Sequence, residues 1–292
     1  MRTQNNGHSE MYSRRVASFQ TPFQTKQPAN SPSFTEGLSR NKSMFLQHVG
    51  WFRSPISKLP LQLKDDRLVS ETGEIYAIEN GIPLLSTNSD SVTANKKDFP
   101  KIVSDVRNTM RKWFGTPVKT NVCNQIISNT AMETGSEILV IGLTEGSSLR
   151  FLPANANCWG ITEKLDHAIV CKENLEKWDR KAQILVADPG HIPFAEAIFD
   201  LVWLKNNVQE DQLKCKPIQE AIRVCKPGGK MILSIQSSEI TRTDLSTTMI
   251  QSALGMIPPG ASEVAVTDDF ETGSICLHFR KPLHFIPENR MN

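Results

Sequence analysis

The residues of this chain best placed for chemistry are short polar stretches that directly follow apolar runs. Gly142 and Gly146 come just after the apolar run 138–141, with Thr144 between them. Glycine lets a backbone come close to a bound ligand, so loops of this kind suit cofactors. Asp188 follows a second apolar run, and its carboxylate offers hydrogen-bond acceptors. These residue types at these positions predict a ligand-binding edge.

Two further apolar runs also end in polar residues. Thr162 and Glu163 follow one run, and Asn206 with Asn207 follows another. Because a ligand in an open α/β sheet lies at the carboxyl ends of the strands, we expect these residues near the glycine loop. Simpler interpretations stay open: Glu163 as an acid at a helix start, Asp188 as a turn former, and the asparagines as ordinary loop residues.

Other kinds of site are not indicated. The six cysteines are scattered without a C-x-x-C pair, which argues against a zinc site and against a disulfide framework. No Ser-His-Asp arrangement and no His/Glu metal motif stands out, so neither a catalytic residue nor a metal ligand is assigned. His191 lies in the stretch after Asp188 and could border a substrate pocket.

Alternating strands and helices must position these residues. From Ser136 onward, apolar runs alternate with amphipathic stretches, which predicts a doubly wound α/β fold. Strands are predicted at 138–141, 158–161, 184–186, 199–204, 230–235, 262–266 and 275–279. Helices are predicted at 99–114, 121–132, from 147, at 163–178, at 218–224 and at 245–254, with a structural turn at 226–229.

Residues 138–235 resemble a class I S-adenosylmethionine-dependent methyltransferase of the ubiquinone/menaquinone-biosynthesis type (methyltransferase type 11 domain). The resemblance depends on four landmarks in the right order: the glycine loop, Gly160-Ile161-Thr162, Asp188 with Ile192-Pro193-Phe194, and the stretch 223–229. It implies a Rossmann-like, doubly wound, mostly parallel seven-stranded sheet and S-adenosylmethionine as the cofactor.

The resemblance also implies a role for each candidate residue. The glycine loop of Gly142, Thr144 and Gly146 would lie against the cofactor, and Thr162 or Glu163 would contact its ribose hydroxyls. Asp188, with Pro189 beside it, would contact the adenine. Asn206 would lie near the methionine moiety or the substrate. Three positions depart from the family pattern: Val140 replaces an acid, Thr144 a glycine, and Thr162 a carboxylate. If position 144 needs a positive φ, threonine costs about 1–3 kcal/mol of strain there.

A small β unit is predicted N-terminal to this region, at residues 49–88, ahead of a methyltransferase-like domain at 98–282. It resembles the zinc-ribbon-like domain that precedes some methyltransferases, in which the positions of Ser54, Ser57 and Ser70 are often zinc-binding cysteines. Because a hydroxyl is a poor zinc ligand compared with a thiolate, we predict this module without its metal.

Residues 1–48 are rich in Ser, Thr, Gln and Asn and are predicted to be disordered. Their Arg-rich, acid-poor composition is typical of an organelle transit peptide, so the alternatives are an organelle matrix and a cytoplasmic protein with a solvated tail. The net charge of +2 gives no general reason to expect a nucleic acid or an anionic membrane as a partner. Since no run of 18 apolar residues exists, we expect a soluble protein.

Two functions from different classes fit the sequence. The first is methyl transfer from S-adenosylmethionine to an unidentified, small-molecule acceptor. The second is a catalytically inactive, methyltransferase-like binding or assembly protein with a protein partner, favoured by the three departures from the family pattern and by the three serines. A nicotinamide-binding Rossmann protein fits less well, because its G-x-G-x-x-G fingerprint is absent.

Overall fold

The computed structural model describes residues 47–87, 122–128, 130, 132–208, 215–237, 251, 254–269 and 274–284. The tail predicted at 1–48, apart from its last two residues, lies outside the described residues. So do the helix predicted at 99–114 and most of the helix predicted at 245–254. Within the described part of the chain, no helix is both long and apolar enough to cross a membrane.

The described residues build one mixed sheet of 11 strands. The strands are β1 (Leu61–Lys64), β2 (Arg67–Ser70), β3 (Ile75–Glu79), β4 (Ile82–Leu85), β5 (Glu137–Ile141), β6 (Asn157–Thr162), β7 (Gln183–Ala187), β8 (Phe199–Val208), β9 (Cys225–Ser237), β10 (Ser262–Asp269) and β11 (Ser274–Arg280). Continuous apolar runs form β5 and β7 because both faces of these strands are covered.

The strand order is β1-β2-β3-β4-β7-β6-β5-β8-β9-β11-β10. All neighbours from β4 to β9 are parallel, whereas β11 runs antiparallel to both β9 and β10. From β5 the chain adds β6 and β7 on one side, and then returns to add β8 and β9 on the other. The order therefore reverses between β5 and β8, which makes that boundary the topological switch point.

The N-terminal strands differ from the prediction of a separate small module beside a seven-stranded sheet. Strand β4 pairs in parallel with β7, through Leu84 opposite Val186 and Leu85 opposite Ala187. Strands β1 to β4 therefore continue the sheet. The hairpin that delivers β4 turns at Asn80 and Gly81, which have φ values of 50° and 71° and suit a two-residue turn.

Helices cover the two faces of the sheet unequally. Helices α1 (Val122–Ser128) and α2 (Leu165–Lys177) supply Ile127 and four α2 residues to the core on one face. Helix α3 (Cys215–Val224) packs on the other face, together with apolar side chains of β1, β2 and β3. Short 3₁₀ turns lie at Val49–Trp51, Ser147–Phe151 and Pro189–His191.

An aromatic cluster joins the N-terminal segment to the rest of the molecule. The ring centroid of Phe52 lies 5.1 Å from that of Phe194 and 6.1 Å from that of Trp159. The backbone follows the same path, because Arg53 donates to the Pro193 carbonyl at 3.1 Å and Ala195 donates to the Trp51 carbonyl at 2.8 Å. The segment around Phe52 is thus bonded to the chain that follows β7.

Two local predictions differ from the structure around β8 and β9. Asn206 and Asn207 were expected beyond the fourth strand, but they lie within β8, paired with Ile235 and Gln236 of β9. The residues of the turn predicted at 226–229 lie inside β9. There the pairing of β9 with β8 shifts register, between Phe199 and Leu201 of β8. Strand pairing across this boundary extends both strands beyond their apolar runs, and no local sequence pattern signals that extension.

Candidate functional site

A crevice is expected where the strand order reverses, at the carboxyl ends of β5 and β8. Ile141, the last residue of β5, lies opposite Leu204, so that Gly142 and Lys205 follow at the same level. The carboxyl ends of β6 and β7 lie along the same edge, and they lead to Thr162 and Asp188. The sheet therefore brings the predicted site residues to one edge.

Gly142 meets strand β8 so closely, at Lys205, that no side chain fits there. Its φ is +84°, and a Cβ atom at this position would lie 2.4 Å from the backbone oxygen of Lys205. The N–H groups of Gly142 and Leu143 both donate to the Ile161 carbonyl at 3.0 Å. The turn is thus fixed from both sides, by β6 and by β8, and glycine is required for both φ and space.

The rest of the glycine loop is attached to α2. Gly146 has a φ of +77°, and a Cβ there would lie 3.2 Å from the sulfur of Cys171. The buried side chain of Asn174 donates to the Glu145 carbonyl at 2.9 Å. Thr144 is exposed and is not among the described non-glycine residues with a positive φ. The backbone of Thr144 is therefore free of the strain that a positive φ would have imposed on a threonine.

The end of β6 separates its two candidate residues. Thr162 is fully buried, and its hydroxyl lies 3.5 Å from the backbone N–H of Lys164. Glu163 is exposed at the same edge of the sheet. Of these two neighbours, Glu163 is the one whose side chain a ligand at this edge can reach.

Asp188 caps the 3₁₀ turn that follows β7. One carboxylate oxygen accepts from the Gly190 N–H at 2.8 Å, and the other lies 2.8 Å from Nδ1 of His191. Burial raises the pKa of Asp188, but the hydrogen bonds from His191 and Gly190 outweigh burial, so the pKa of this carboxyl lies below its ordinary value. The side chain is 37% exposed, so the carboxylate is ionised and reachable from solvent.

His191 connects Asp188 to the start of α3. Its Nδ1 faces Asp188, and its Nε2 is hydrogen-bonded to the ammonium of Lys216. Since an ammonium has only donors, Nε2 accepts and Nδ1 carries the proton that is donated to Asp188. His191 therefore orients Asp188 from the side of α3, and Pro189 fixes the first position of the turn between them.

Lys205 is a polar residue at the switch point that the sequence analysis did not single out. Its ammonium donates to the Ser148 hydroxyl at 2.8 Å and lies 5.7 Å from the ring centroid of Trp203. The residue stands at the end of an otherwise apolar stretch of β8. In the sequence, Lys205 could have been recognised as a charged residue directly after the apolar residues of a predicted central strand.

Ser54, Ser57 and Ser70, in the N-terminal segment, belong to one hydrogen-bonded network. The fully buried Ser54 hydroxyl lies 3.0 Å from the Tyr76 hydroxyl and accepts from the backbone N–H of Ser57 at 3.0 Å. Ser57 donates to Glu74 at 2.8 Å, and the Ser70 hydroxyl accepts from the backbone N–H of Glu74 at 3.0 Å. Among the described residues, no group of three or more His, Cys, Asp or Glu side chains could hold a metal ion.

Substituting Ser54→Ala is expected to lower the free energy of unfolding by about 1–3 kcal/mol, because the buried Tyr76 hydroxyl and a backbone amide lose their partner. Chemical denaturation measures the change, and Glu71→Ala, at an exposed neighbouring position outside this network, serves as a control with an effect within about 0.5 kcal/mol. Adding a chelator to the unmodified protein should leave its melting temperature unchanged. A lower melting temperature with chelator would show that a metal, and not the hydroxyl network, stabilises this region.

Comparisons with known proteins find similarity in the central part of the chain. Residues 139–233 match the family model described as "Methyltransferase domain". The chain is 27% identical over 122 residues to the tRNA (carboxymethyluridine(34)-5-O)-methyltransferase of Arabidopsis thaliana, a match that covers 40% of this chain and 28% of that protein. It is 32% identical over 104 residues to the chloroplastic tocopherol O-methyltransferase of the same plant, covering 33% of this chain and 29% of the relative.

Solved structures give more distant similarities. A SAM-dependent methyltransferase from Aquifex aeolicus is 15% identical, with a TM-score of 0.46, and the match covers 59% of this chain and 97% of that one. The phosphoethanolamine N-methyltransferase 2 of Haemonchus contortus, in complex with S-adenosyl-L-methionine, is also 15% identical, with a TM-score of 0.44 and coverage of 55% and 52%.

The family match confirms the prediction of a methyltransferase domain, and with it S-adenosylmethionine as the cofactor of this type of domain. The matched segment begins in β5 and ends in β9, so it contains the glycine loop, Asp188 and the switch point. The chain spans less than a third of the length of the two plant relatives that it matches.

Proposed function

We propose that this chain, through the methyltransferase domain at residues 139–233, binds S-adenosylmethionine at the switch point and transfers its methyl group to a small-molecule acceptor. The observation that carries the proposal is the glycine turn at Gly142, which lies at the reversal of strand order and has no room for a side chain. Because this turn carries no side chain, it leaves space for a ligand above the carboxyl ends of the parallel strands.

The cofactor would lie along the edge from β7 to β8. The carboxylate of Asp188 would accept a hydrogen bond from the adenine amino group, with Pro189 beside the ring. Glu163 would reach the ribose hydroxyls, in place of the buried Thr162. The glycine loop would lie under the methionine moiety, with Asn206 at the neighbouring end of β8.

The order of the seven strands β5 to β11 supports the class I arrangement, since three parallel strands lie on one side of the switch point and an antiparallel pair completes the other. The landmarks at Asp188 and at 192–194 support the ubiquinone/menaquinone-biosynthesis type. In this proposal, the strands before β5 form a metal-free, zinc-ribbon-like extension of the same sheet.

S-adenosylmethionine supplies an activated methyl group on a sulfonium centre. The protein's task is then to hold the acceptor in line with that methyl group and to exclude water. Fixed supports on both sides of Gly142 suit this task, because the loop keeps one position while the acceptor approaches. An acceptor that is already nucleophilic needs no dedicated base, so the absence of an assigned catalytic residue fits this chemistry.

A small-molecule acceptor is favoured by charge. The chain has 33 basic and 31 acidic residues, a balance that provides little attraction for a polyanionic nucleic acid. One plant relative is named as a tRNA methyltransferase and the other as a tocopherol methyltransferase, so both acceptor classes belong in an activity screen. The Arg- and Ser-rich first 48 residues support an organelle matrix as the alternative to the cytoplasm.

The proposal is tested by isothermal titration of the full chain with S-adenosylmethionine and S-adenosylhomocysteine. We expect micromolar binding, and we expect Asp188→Asn to weaken it about tenfold to a hundredfold, because a charged acceptor is replaced by a neutral one. Because the hydrogen bonds from His191 and Gly190 hold the pKa of Asp188 below its ordinary value, its carboxylate stays ionised at neutral pH, and affinity should not change with this titration near neutral pH.

Asp166→Asn is the matched control, since Asp166 lies in the first turn of α2 and caps a local amide. Unchanged affinity in Asp188→Asn would remove Asp188 from the site. An unmodified protein that binds neither compound at millimolar concentration would favour the non-catalytic binding or assembly protein, and the search would turn to a protein partner.

A further inference from the structure

Lys205 places a positive charge at the switch point, beside the glycine turn. Its backbone oxygen is the atom that a Cβ on Gly142 would meet at 2.4 Å. Its side chain crosses to the 3₁₀ turn after the glycine loop and donates to Ser148 at 2.8 Å. The lysine therefore links β8 to the 3₁₀ turn that follows the glycine loop.

The surroundings hold this ammonium in one position. Ser148 is buried, and Trp203, two residues earlier on β8, presents its ring 5.7 Å from the ammonium. A buried hydroxyl partner and an aromatic face both limit the rotamers of a long side chain. A fixed ammonium is a point charge that a ligand anion can approach at a defined place.

The neighbouring strand contributes no opposite charge at this level. Val140, which stands two residues before Gly142, is fully buried in the apolar core on the same face as Trp203. The carboxylate of Glu145, in the loop that follows β5, is hydrogen-bonded to the Thr144 and Ser147 hydroxyls, whereas the Lys205 ammonium is held by the Ser148 hydroxyl. A ligand with a single anionic group is expected to turn that group toward Lys205.

We propose that Lys205 binds the carboxylate of the cofactor's methionyl group and so determines the orientation of that group. This inference rests on the proposed function. S-adenosylmethionine carries positive charges on its sulfonium and amino groups, and its carboxylate is its one anionic group. Pairing the carboxylate with Lys205 turns both cationic groups away from the ammonium, which favours one of the two orientations of the methionyl chain.

The experiment compares Lys205→Met with the unmodified protein by isothermal titration against three ligands: S-adenosylhomocysteine, decarboxylated S-adenosylmethionine and methylthioadenosine. We expect Lys205→Met to weaken S-adenosylhomocysteine binding by about tenfold to a hundredfold. Binding of the other two should change less than about threefold, because they lack the carboxylate. Lys205→Arg keeps the charge and should retain most of the affinity.

Lys172→Met is the control, since Lys172 is a lysine of α2 whose ammonium donates to a backbone carbonyl, that of Asn80. Equal losses for all three ligands, or tighter binding of S-adenosylhomocysteine by Lys205→Met, would overturn the proposal; the second result would identify Lys205 as an obstruction in the crevice.

A ligand series on the unmodified protein keeps the proposal testable if Lys205→Met fails to fold. The unmodified protein should prefer S-adenosylhomocysteine to methylthioadenosine and to decarboxylated S-adenosylmethionine by at least about tenfold. Equal affinity for all three would overturn the role of Lys205 and leave the methyltransferase function intact. Failure of the proposed function looks different, because then the unmodified protein binds none of the three.

Discussion

Gly142→Ala is expected to lower the free energy of unfolding by roughly 2–6 kcal/mol and to abolish binding of S-adenosylmethionine. Left-handed backbone at φ +84° costs a non-glycine residue about 1–3 kcal/mol. The new Cβ would also lie 2.4 Å from the Lys205 backbone oxygen, and relieving that overlap must move β5 or β8, at a cost of about 1–3 kcal/mol. Chemical denaturation and titration with the cofactor measure the two effects.

Substitutions at two other glycines distinguish the cost of backbone strain from the cost of steric overlap with β8. Gly135 has a similar φ of +83°, but nothing lies within 4 Å of its added Cβ, so Gly135→Ala reports the strain alone. Gly50 has neither a positive φ nor a close neighbour, and Gly50→Ala should be nearly neutral. If Gly142→Ala costs no more than Gly135→Ala, the close approach of the glycine turn to β8 is wrong.

Phe52→Ala is expected to cost about 3–5 kcal/mol of the free energy of unfolding, as is usual for removing a buried phenylalanine ring. Phe52 is fully buried and packs against Phe194 and Trp159. The same segment bonds to the backbone on either side of Phe194. Because that chain lies just after the Asp188 turn, we also expect weaker cofactor binding in this variant.

The shape of the denaturation curve matters as much as its midpoint. If β1 to β4 belong to the same sheet as the methyltransferase domain, the variant should unfold in one transition, as a single cooperative unit does. Ile56→Ala, in the same segment but 65% exposed, should change stability by less than about 0.5 kcal/mol. Two separate transitions, with only the first moved by Phe52→Ala, would show an N-terminal domain that folds independently.

A single unfolding unit would have a consequence for the site. The parallel pairing of β4 with β7 brings the end of β4 beside Ala187, one residue before Asp188. The N-terminal strands would then support the strand from which Asp188 extends, the carboxylate that we propose binds the adenine. Loss of those strands would weaken cofactor binding without removing a residue that contacts the cofactor.

The sequence by itself determined the local elements and their order. The apolar run 138–141 predicted β5, and the structure has β5 at Glu137–Ile141. Asn80-Gly81 is a residue pair typical of a tight turn, and both residues have the positive φ of such a turn. Asp188 directly follows the third predicted strand in the structure as well. These features can be predicted because apolar periodicity and turn chemistry are local properties of a few consecutive residues.

Tertiary structure alone decided which of the predicted residues a ligand can reach. Thr162 and Glu163 are neighbours in sequence, but packing buries the first and exposes the second. The pairing of β4 with β7 joins residues about 100 positions apart, and the contact of Lys205 with Ser148 joins residues 57 positions apart. Burial and charge at the switch point depend on these long-range contacts, which leave no periodic trace in the sequence around either partner.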